Sequence, residues 1–382
     1  MREFDVGERR ATWLELFFDL CFVAAVSALA DGLTRDPTAS GLWSFIALFV
    51  PVWWAWMAYT WFATAWDNDD LVHRFGMLAA MLLVVVLAAA VPRIERGNDR
   101  VFVVAYAAMQ FLLAALFVRV LPHAGPARRF AINCLIGEAV GGAIWLSSLA
   151  FPQGVRPWIW AVAMAELLVV PIFAVRAYPD QPYDSSHIPE RYGLFTIIVL
   201  GEGIVRVAAA LSEPEVKLNG EAITAAVLGF AIASAVWWTY FGTVSSAGLS
   251  RERLGAAFVW GYGQFAAFTG IAATAVGVEL AIVGAATDTR LSLVPRLLLT
   301  AGPAAFVLAV AVIHRVTVDR WDAVMTQRVV TIVLLLALGI VASGMRPEIL
   351  TGLVAVTMVL TTTLDVRRAG HMGLAADPDQ EI

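Results

Sequence analysis

Seven ionisable residues stand inside long apolar runs of this chain: Glu15, Asp19, Glu138, Glu166, Glu202, Arg206 and Glu279. A charge at the centre of a bilayer costs about 2.5–3.5 kcal/mol on insertion scales, so seven of them facing lipid would cost roughly 20 kcal/mol, more than the net stability of a typical fold. They are expected to face one another, the protein interior or water. Glu15 and Glu279 are the two expected to be interfacial. Glu15 and Asp19 are four residues apart, which stacks both carboxylates on one helical face. Two carboxylates so placed in a low dielectric do not both ionise unless a cation such as an arginine or Na⁺ sits between them, so the pair is a candidate proton carrier. The plainer alternative is that Glu15 is wet at the helix end and Asp19 pairs locally. Glu202 and Arg206 are also four apart, in the favourable order for a helical ion pair. They form either a neutralised structural pair or one whose partners exchange during a cycle, and Gly201 and Gly203 would let backbone or substrate come close. The candidates for binding an ion, a proton or a substrate are thus Glu15, Asp19, Glu138, Glu166, Glu202 and Arg206.

Other patterns carry less. Gly261 to Ala266 fits G-x-G-x-x-A but lies inside an apolar run and follows no strand, so it reads as helix packing, as do Gly137 and Gly141 beside Glu138. Asp67-Asn68-Asp69-Asp70 resembles an aspartate cluster of the kind that holds Mg²⁺ and diphosphate, but there is no second cluster, and a solvated loop or a helix cap explains it better. The five histidines, His73, His123, His187, His314 and His371, have no metal-ligand spacing, and no nucleophile-elbow, H-E-x-x-H or Walker sequence is present. No catalytic residue, metal site or cofactor is expected. Cys21 and Cys134 lie in different apolar runs and read as packing residues.

The elements that must position these groups are membrane helices. Hydrophobic residues make up 60% of the 382 and charged residues 15%, against roughly 45–50% and about 25% in soluble domains. Apolar runs fall near 12–32, 41–63, 72–92, 101–120, 128–150, 156–176, 190–212, 220–244, 254–283, 295–315, 325–345 and 347–366. Each reaches the ~20 residues needed to cross the hydrocarbon core, and the ninth exceeds it. The expected fold is an all-α bundle of about twelve transmembrane helices. Gly270 and Gly277 are expected weak points in the long ninth run, and Pro51 and Pro171 expected kinks in the second and sixth. Ala28-Leu29-Ala30 has the look of a signal cleavage site, but Glu15 and Asp19 interrupt the run before it, so the segment should stay in the membrane. With the N-terminus cytoplasmic, the inner segments hold 16 Lys/Arg and the outer ones 9, which predicts both ends inside. The net charge of −5 belongs to loops and tails and implies no nucleic-acid partner. The expected partners are the bilayer and a small solute or ion, with the oligomeric state open.

Trp53-Trp54 and Trp237-Trp238 are offset by 184 residues, and the segment around Asp19 can be laid against that around Glu202. Two parallel six-helix repeats are therefore expected, 1–184 and 185–368, followed by a polar, disordered tail, 369–382. Asp19 and Glu202 would then face one shared cavity.

Three motifs carry a resemblance. The run from Arg10 through Glu15, Phe18 and Asp19 to Val23 resembles the opening motif of the bacterial low temperature requirement A (LtrA) family. Trp66-Asp67-Asn68-Asp69-Asp70 with Arg74 is similar to that family's aspartate-rich stretch after the second helix, so Asp67, Asp69, Asp70 and Arg74 count as motif residues. His187-Ile188-Pro189-Glu190-Arg191, leading through Phe195 to Gly201-Glu202, resembles its central E-R-x-x-x-F-x-I-x-x-L-G-E segment and adds His187, Glu190 and Arg191. Gly203 stands where the family often carries Ser. The resemblance implies a multi-helix bacterial inner-membrane protein and supplies no reaction. Ion- or proton-coupled transport of a small solute suits the intramembrane acids best. The alternatives are an integral membrane enzyme acting on a lipid or hydrophobic metabolite, and a channel-like or accessory envelope protein.

Overall fold

A computed structural model describes residues 12–66, 70–94, 96–178, 187–213, 218–244, 254–318 and 321–371. Among these residues the chain is all-α, with twelve helices long and apolar enough to cross a membrane. They are α1 (Trp13–Arg35), α2 (Ala39–Ala65), α3 (Leu71–Ile94), α4 (Arg100–Val120), α5 (Arg128–Ser147), α6 (Arg156–Ala177), α7 (His187–Ser212), α8 (Gly220–Thr243), α9 (Leu254–Ala286), α10 (Leu293–Val318), α11 (Ala323–Val341) and α12 (Pro347–His371). This is a polytopic membrane protein.

Local chemistry starts the helices. Thr12 and Glu15 form a capping box on α1, the Glu15 amide donating to Thr12 Oγ1 and Glu15 Oε2 accepting from the Thr12 amide at 2.8 Å. Asp70, Asn219 and Asp322 cap α3, α8 and α11, accepting from the amides of His73, Ala222 and Met325 at 2.8–2.9 Å. Pro51 and Pro171 sit within α2 and α6 without ending them. Their lost hydrogen bonds are tolerable in helices supported by neighbours.

The chain divides into two compact units inside α7, between Phe195 and Thr196; residues 37–42 group with the second. This boundary lies past the 184/185 division expected from the tryptophan offset. In the first unit, α4 packs on α5 and α5 on α6, while α1 packs on α3. An aromatic stack of Tyr106, Trp145 and Trp160 fills the α4–α5–α6 core, with Trp145 and Trp160 centroids 5.2 Å apart. In the second unit α10 packs on α9 and α11, and α12 on α8.

The long ninth run is one unbroken helix of 33 residues rather than a broken one. Gly270 and Gly277 are not weak points: they are where α10 comes close. A methyl on Gly270 would lie 2.7 Å from the Gly302 carbonyl oxygen, and one on Gly277 would be 2.7 Å from the Leu298 carbonyl carbon. Small residues that admit a neighbouring backbone are how helices associate without a hydrophobic driving force in lipid. Large apolar side chains on the outside, such as Leu82, Val227, Ile340 and Val341, fit a lipid solvent. α12 runs through His371, so the first residues of the expected tail are helical; 372–382 lie outside the described residues.

Candidate functional site

The first turns of α7 carry the centre of the site. His187, Arg191 and Phe195 follow one another at four-residue spacing and therefore share a face. Arg191 is wholly buried. Its Nη2 donates to Asp19 Oδ1 at 2.6 Å and its Nε to Asp19 Oδ2 at 3.2 Å, a two-pronged pairing; Nη1 lies 3.0 Å from Glu15 Oε1. The two carboxylates that share a face of α1 thus have an arginine between them. The Trp56 indole donates to Asp19 Oδ1 at 2.7 Å, and Thr60 Oγ1 lies 3.5 Å from Arg191 Nη2. His187 Nε2 is 3.2 Å from Glu15 Oε1, and its Nδ1 is 3.4 Å from Glu190 Oε2. The Trp56 ring stacks on Phe195 at 4.2 Å and meets Tyr192 edge-on at 4.8 Å. The E-R-x-x-x-F spacing is thereby explained: arginine and phenylalanine must grip α1 and α2 from one face of α7.

Glu15, in the first turn of α1, is therefore not the wet residue of the plainer alternative. Only 4% exposed, it is held by its own capping box and by two partners on α7. Trp56 and Thr60 were absent from the sequence-derived candidates. An indole N–H needs an acceptor when buried, so the Trp-rich run of α2 was a usable signal.

The second unit holds a parallel arrangement. Arg206 Nε lies 3.1 Å from Glu202 Oε1, the local pair expected, and its Nη1 donates to Glu279 Oε2 on α9 at 2.8 Å. Glu279 is thus an ion-pair partner and not merely interfacial. Beside it, Gly203 opens onto a cavity of about 50 Å³ lined by Leu200, Val207, Gly229, Thr274 and Val278. The lining is almost wholly apolar, and Glu202 is not part of it. Further along, Arg328 and Asp365 form a wholly buried pair, with Arg328 Nη1 also donating to the Val310 carbonyl at 3.2 Å. Arg191 and Arg328 belong to the 16 inner Lys/Arg of the sequence count, and Arg156, which pairs with Asp99, and Arg296, which donates to the Gly339 carbonyl, to the 9 outer ones; without these four the counts are 14 and 7.

Glu138 on α5 is buried and Glu166 on α6 is partly so. In the aspartate-rich stretch, Asp67 and Asp69 lie outside the described residues. Asp70 caps α3 and pairs with Arg119, and Arg74 sits exposed one turn into α3. The hydrogen bond from the His73 amide, followed by the Arg119 guanidinium, holds the Asp70 carboxyl below its ordinary range. No group of three or more His, Cys, Asp or Glu among the described residues could hold a metal ion.

A relative in Rhizobium meliloti (strain 1021), an uncharacterized protein, is 27% identical over 301 residues, spanning 74% of this chain and 72% of its own length. The family model for "Bacterial low temperature requirement A protein (LtrA)" matches residues 10–362. That span takes in α1, the α2–α3 connection and α7, the segments that hold Asp19, Asp70 and Arg191, and the chain belongs to the LtrA family.

Proposed function

We propose that the protein is an ion- or proton-coupled carrier of a small solute, with the Asp19–Arg191 pair as the element whose protonation or ion occupancy changes during the cycle. The observation that carries this reading is the complete burial of Arg191 between Asp19 and Glu15 within membrane-spanning helices. A buried ion pair gains little stability over a well-packed apolar replacement, and ionisable groups inside membrane segments mark ion and proton pathways. The tryptophan pairs support two six-helix repeats, and the arginine bias supports an inner-membrane protein with both termini cytoplasmic.

The test is proton flux in proteoliposomes with a trapped pH-sensitive dye, challenged with a panel of small solutes and salts. Wild type is expected to move protons on addition of a particular solute or ion, and Asp19→Asn to be folded and silent. Flux in Asp19→Asn equal to wild type, or none in wild type above empty liposomes, overturns the reading. For orientation, single cysteines at Arg35 and Gly154 are expected to label from outside the cell and one at Arg74 not to; the reverse pattern inverts the topology.

A membrane enzyme acting on a lipid is a second reading. It is favoured by the placement of His187 between Glu15 and Glu190, an acid–base candidate at the starts of α1 and α7. Lipid turnover that vanishes in His187→Gln while the protein stays folded would select it.

A further inference from the structure

Glu138 and Glu166 differ from Glu15 and Asp19, the buried acids of α1, in having no basic partner among the described residues. Glu138 is 7% exposed, and among the described residues no side chain or backbone group donates a hydrogen bond to it and no cation pairs with it. Glu166, from the neighbouring helix, faces the same stretch of α5. A methyl built on Gly141 would lie 3.2 Å from Glu166 Oε2, an oxygen that is buried and without a hydrogen-bond partner. Gly141 is three residues past Glu138 and so on nearly the same face. Gly137 admits the Val170 side chain, so these glycines bring α6 close enough to set the second carboxylate beside the first.

The groups around Glu138 are not basic. Those within its electrostatic reach are Glu166 on α6, Tyr59 on α2, Tyr106 on α4 and Cys134 one turn back on α5. The two phenols are engaged elsewhere, Tyr59 donating to the Met109 carbonyl at 2.7 Å and Tyr106 to Met164 Sδ at 3.5 Å. Gln110, one turn beyond Tyr106 on the face of α4 that packs on α5, is 4% exposed, and neither its amide nitrogen nor its carbonyl oxygen has a partner. Gln110 is therefore a further buried polar side chain of the first unit without a partner among the described residues.

We propose that Glu138 and Glu166 form a membrane-embedded proton-binding site, separate from the Arg191 network, in which Glu138 holds the proton and the less buried Glu166 exchanges it with the surroundings. The cost of ionising an unpaired carboxylate in a low dielectric, beside a second one, favours the protonated form. This inference stands on helices of the first unit and does not depend on the carrier reading.

A lipid-soluble carbodiimide tests it in the full-length protein in native membranes. The reagent takes up the carboxyl proton on one nitrogen while the carboxylate oxygen bonds to its central carbon, and rearrangement leaves a stable N-acylurea. Only a protonated acid in an apolar setting reacts this way. The expected result is a one-reagent mass increase on the peptide containing Glu138, declining as pH is raised and unaffected by Na⁺ or K⁺ at fixed pH. In Glu166→Gln the decline moves to lower pH, because the like charge that favours the proton is gone. Absence of labelling at every pH in folded protein, protection by Na⁺ or K⁺, or an unmoved profile in Glu166→Gln would each overturn the proposal; protection would assign a cation site instead.

Discussion

Two arginines on one helix, each set against two carboxylates, are held in different ways. Arg191 draws both of its acids from α1, distant in sequence, and it and Asp19 are wholly buried. Arg206 draws one acid from its own helix, four residues back, and one from α9, and those acids keep side-chain exposures of 13% and 17%. The first arrangement is a long-range clamp buried almost completely; the second is a local pair with a tertiary supplement. The desolvation cost of leaving a charge unpaired rises with burial, so the same substitution should have unequal consequences in the two places.

The largest effect is expected at Arg191. Arg191→Ala leaves Asp19 and Glu15 facing each other without the guanidinium, a loss of about 3–5 kcal/mol. It should show as a collapse in folded yield and in thermal unfolding of the detergent-solubilised protein. Adding Asp19→Asn and Glu15→Gln should restore much of that loss. Arg206→Ala is expected to cost less, since Glu202 and Glu279 are less buried than Asp19 and Glu15, and Glu202→Gln added to it should recover part of the stability. Equal losses for the two alanine variants would break the distinction between clamp and local pair.

Asp70 offers a smaller effect outside the membrane segments. Asp70→Ala removes the α3 cap and the Arg119 pair, at about 1 kcal/mol for the cap. Asp70→Asn should retain most of the capping while losing the ion pair. Because the Asp70 carboxyl is held below its unfolded value of about 3.9, its contribution is complete above that pH and is lost as pH falls through the folded value. Stability measured down an acid series should therefore fall less steeply in Asp70→Asn than in wild type.

The smallest effect is expected at the α10–α11 connection, where His314 Nε2 is 3.0 Å from Asp322 Oδ2. Burial works to raise the Asp322 carboxyl, but the Met325 amide and His314 outweigh it, and the carboxyl lies below its ordinary range. The sign is the same as for Asp70: stabilisation is present above the unfolded value and fades on acidification. His314→Gln should weaken only this acid dependence, leaving stability at neutral pH within about 0.5 kcal/mol of wild type.

Twelve apolar runs of membrane-spanning length could be counted in the sequence because lipid imposes a one-dimensional constraint: each helix must satisfy its own backbone and cover about 30 Å. The i, i+4 pairing of Glu202 with Arg206 was legible for the same reason, since a helix places those side chains together whatever surrounds it. The fold decided what lies across helices. Arg191 could be named from its motif, but not that it stands between Asp19 and Glu15, with Trp56 closing the acid from α2. Glu279 could be seen as an acid in an apolar run, but not as the second partner of Arg206. Gly270 and Gly277 resemble breaks in the sequence and are contact points in space, because what a glycine permits depends on the backbone that approaches it. Periodicity assigns a side chain to a face of its own helix; only the packing of helices decides what that face meets.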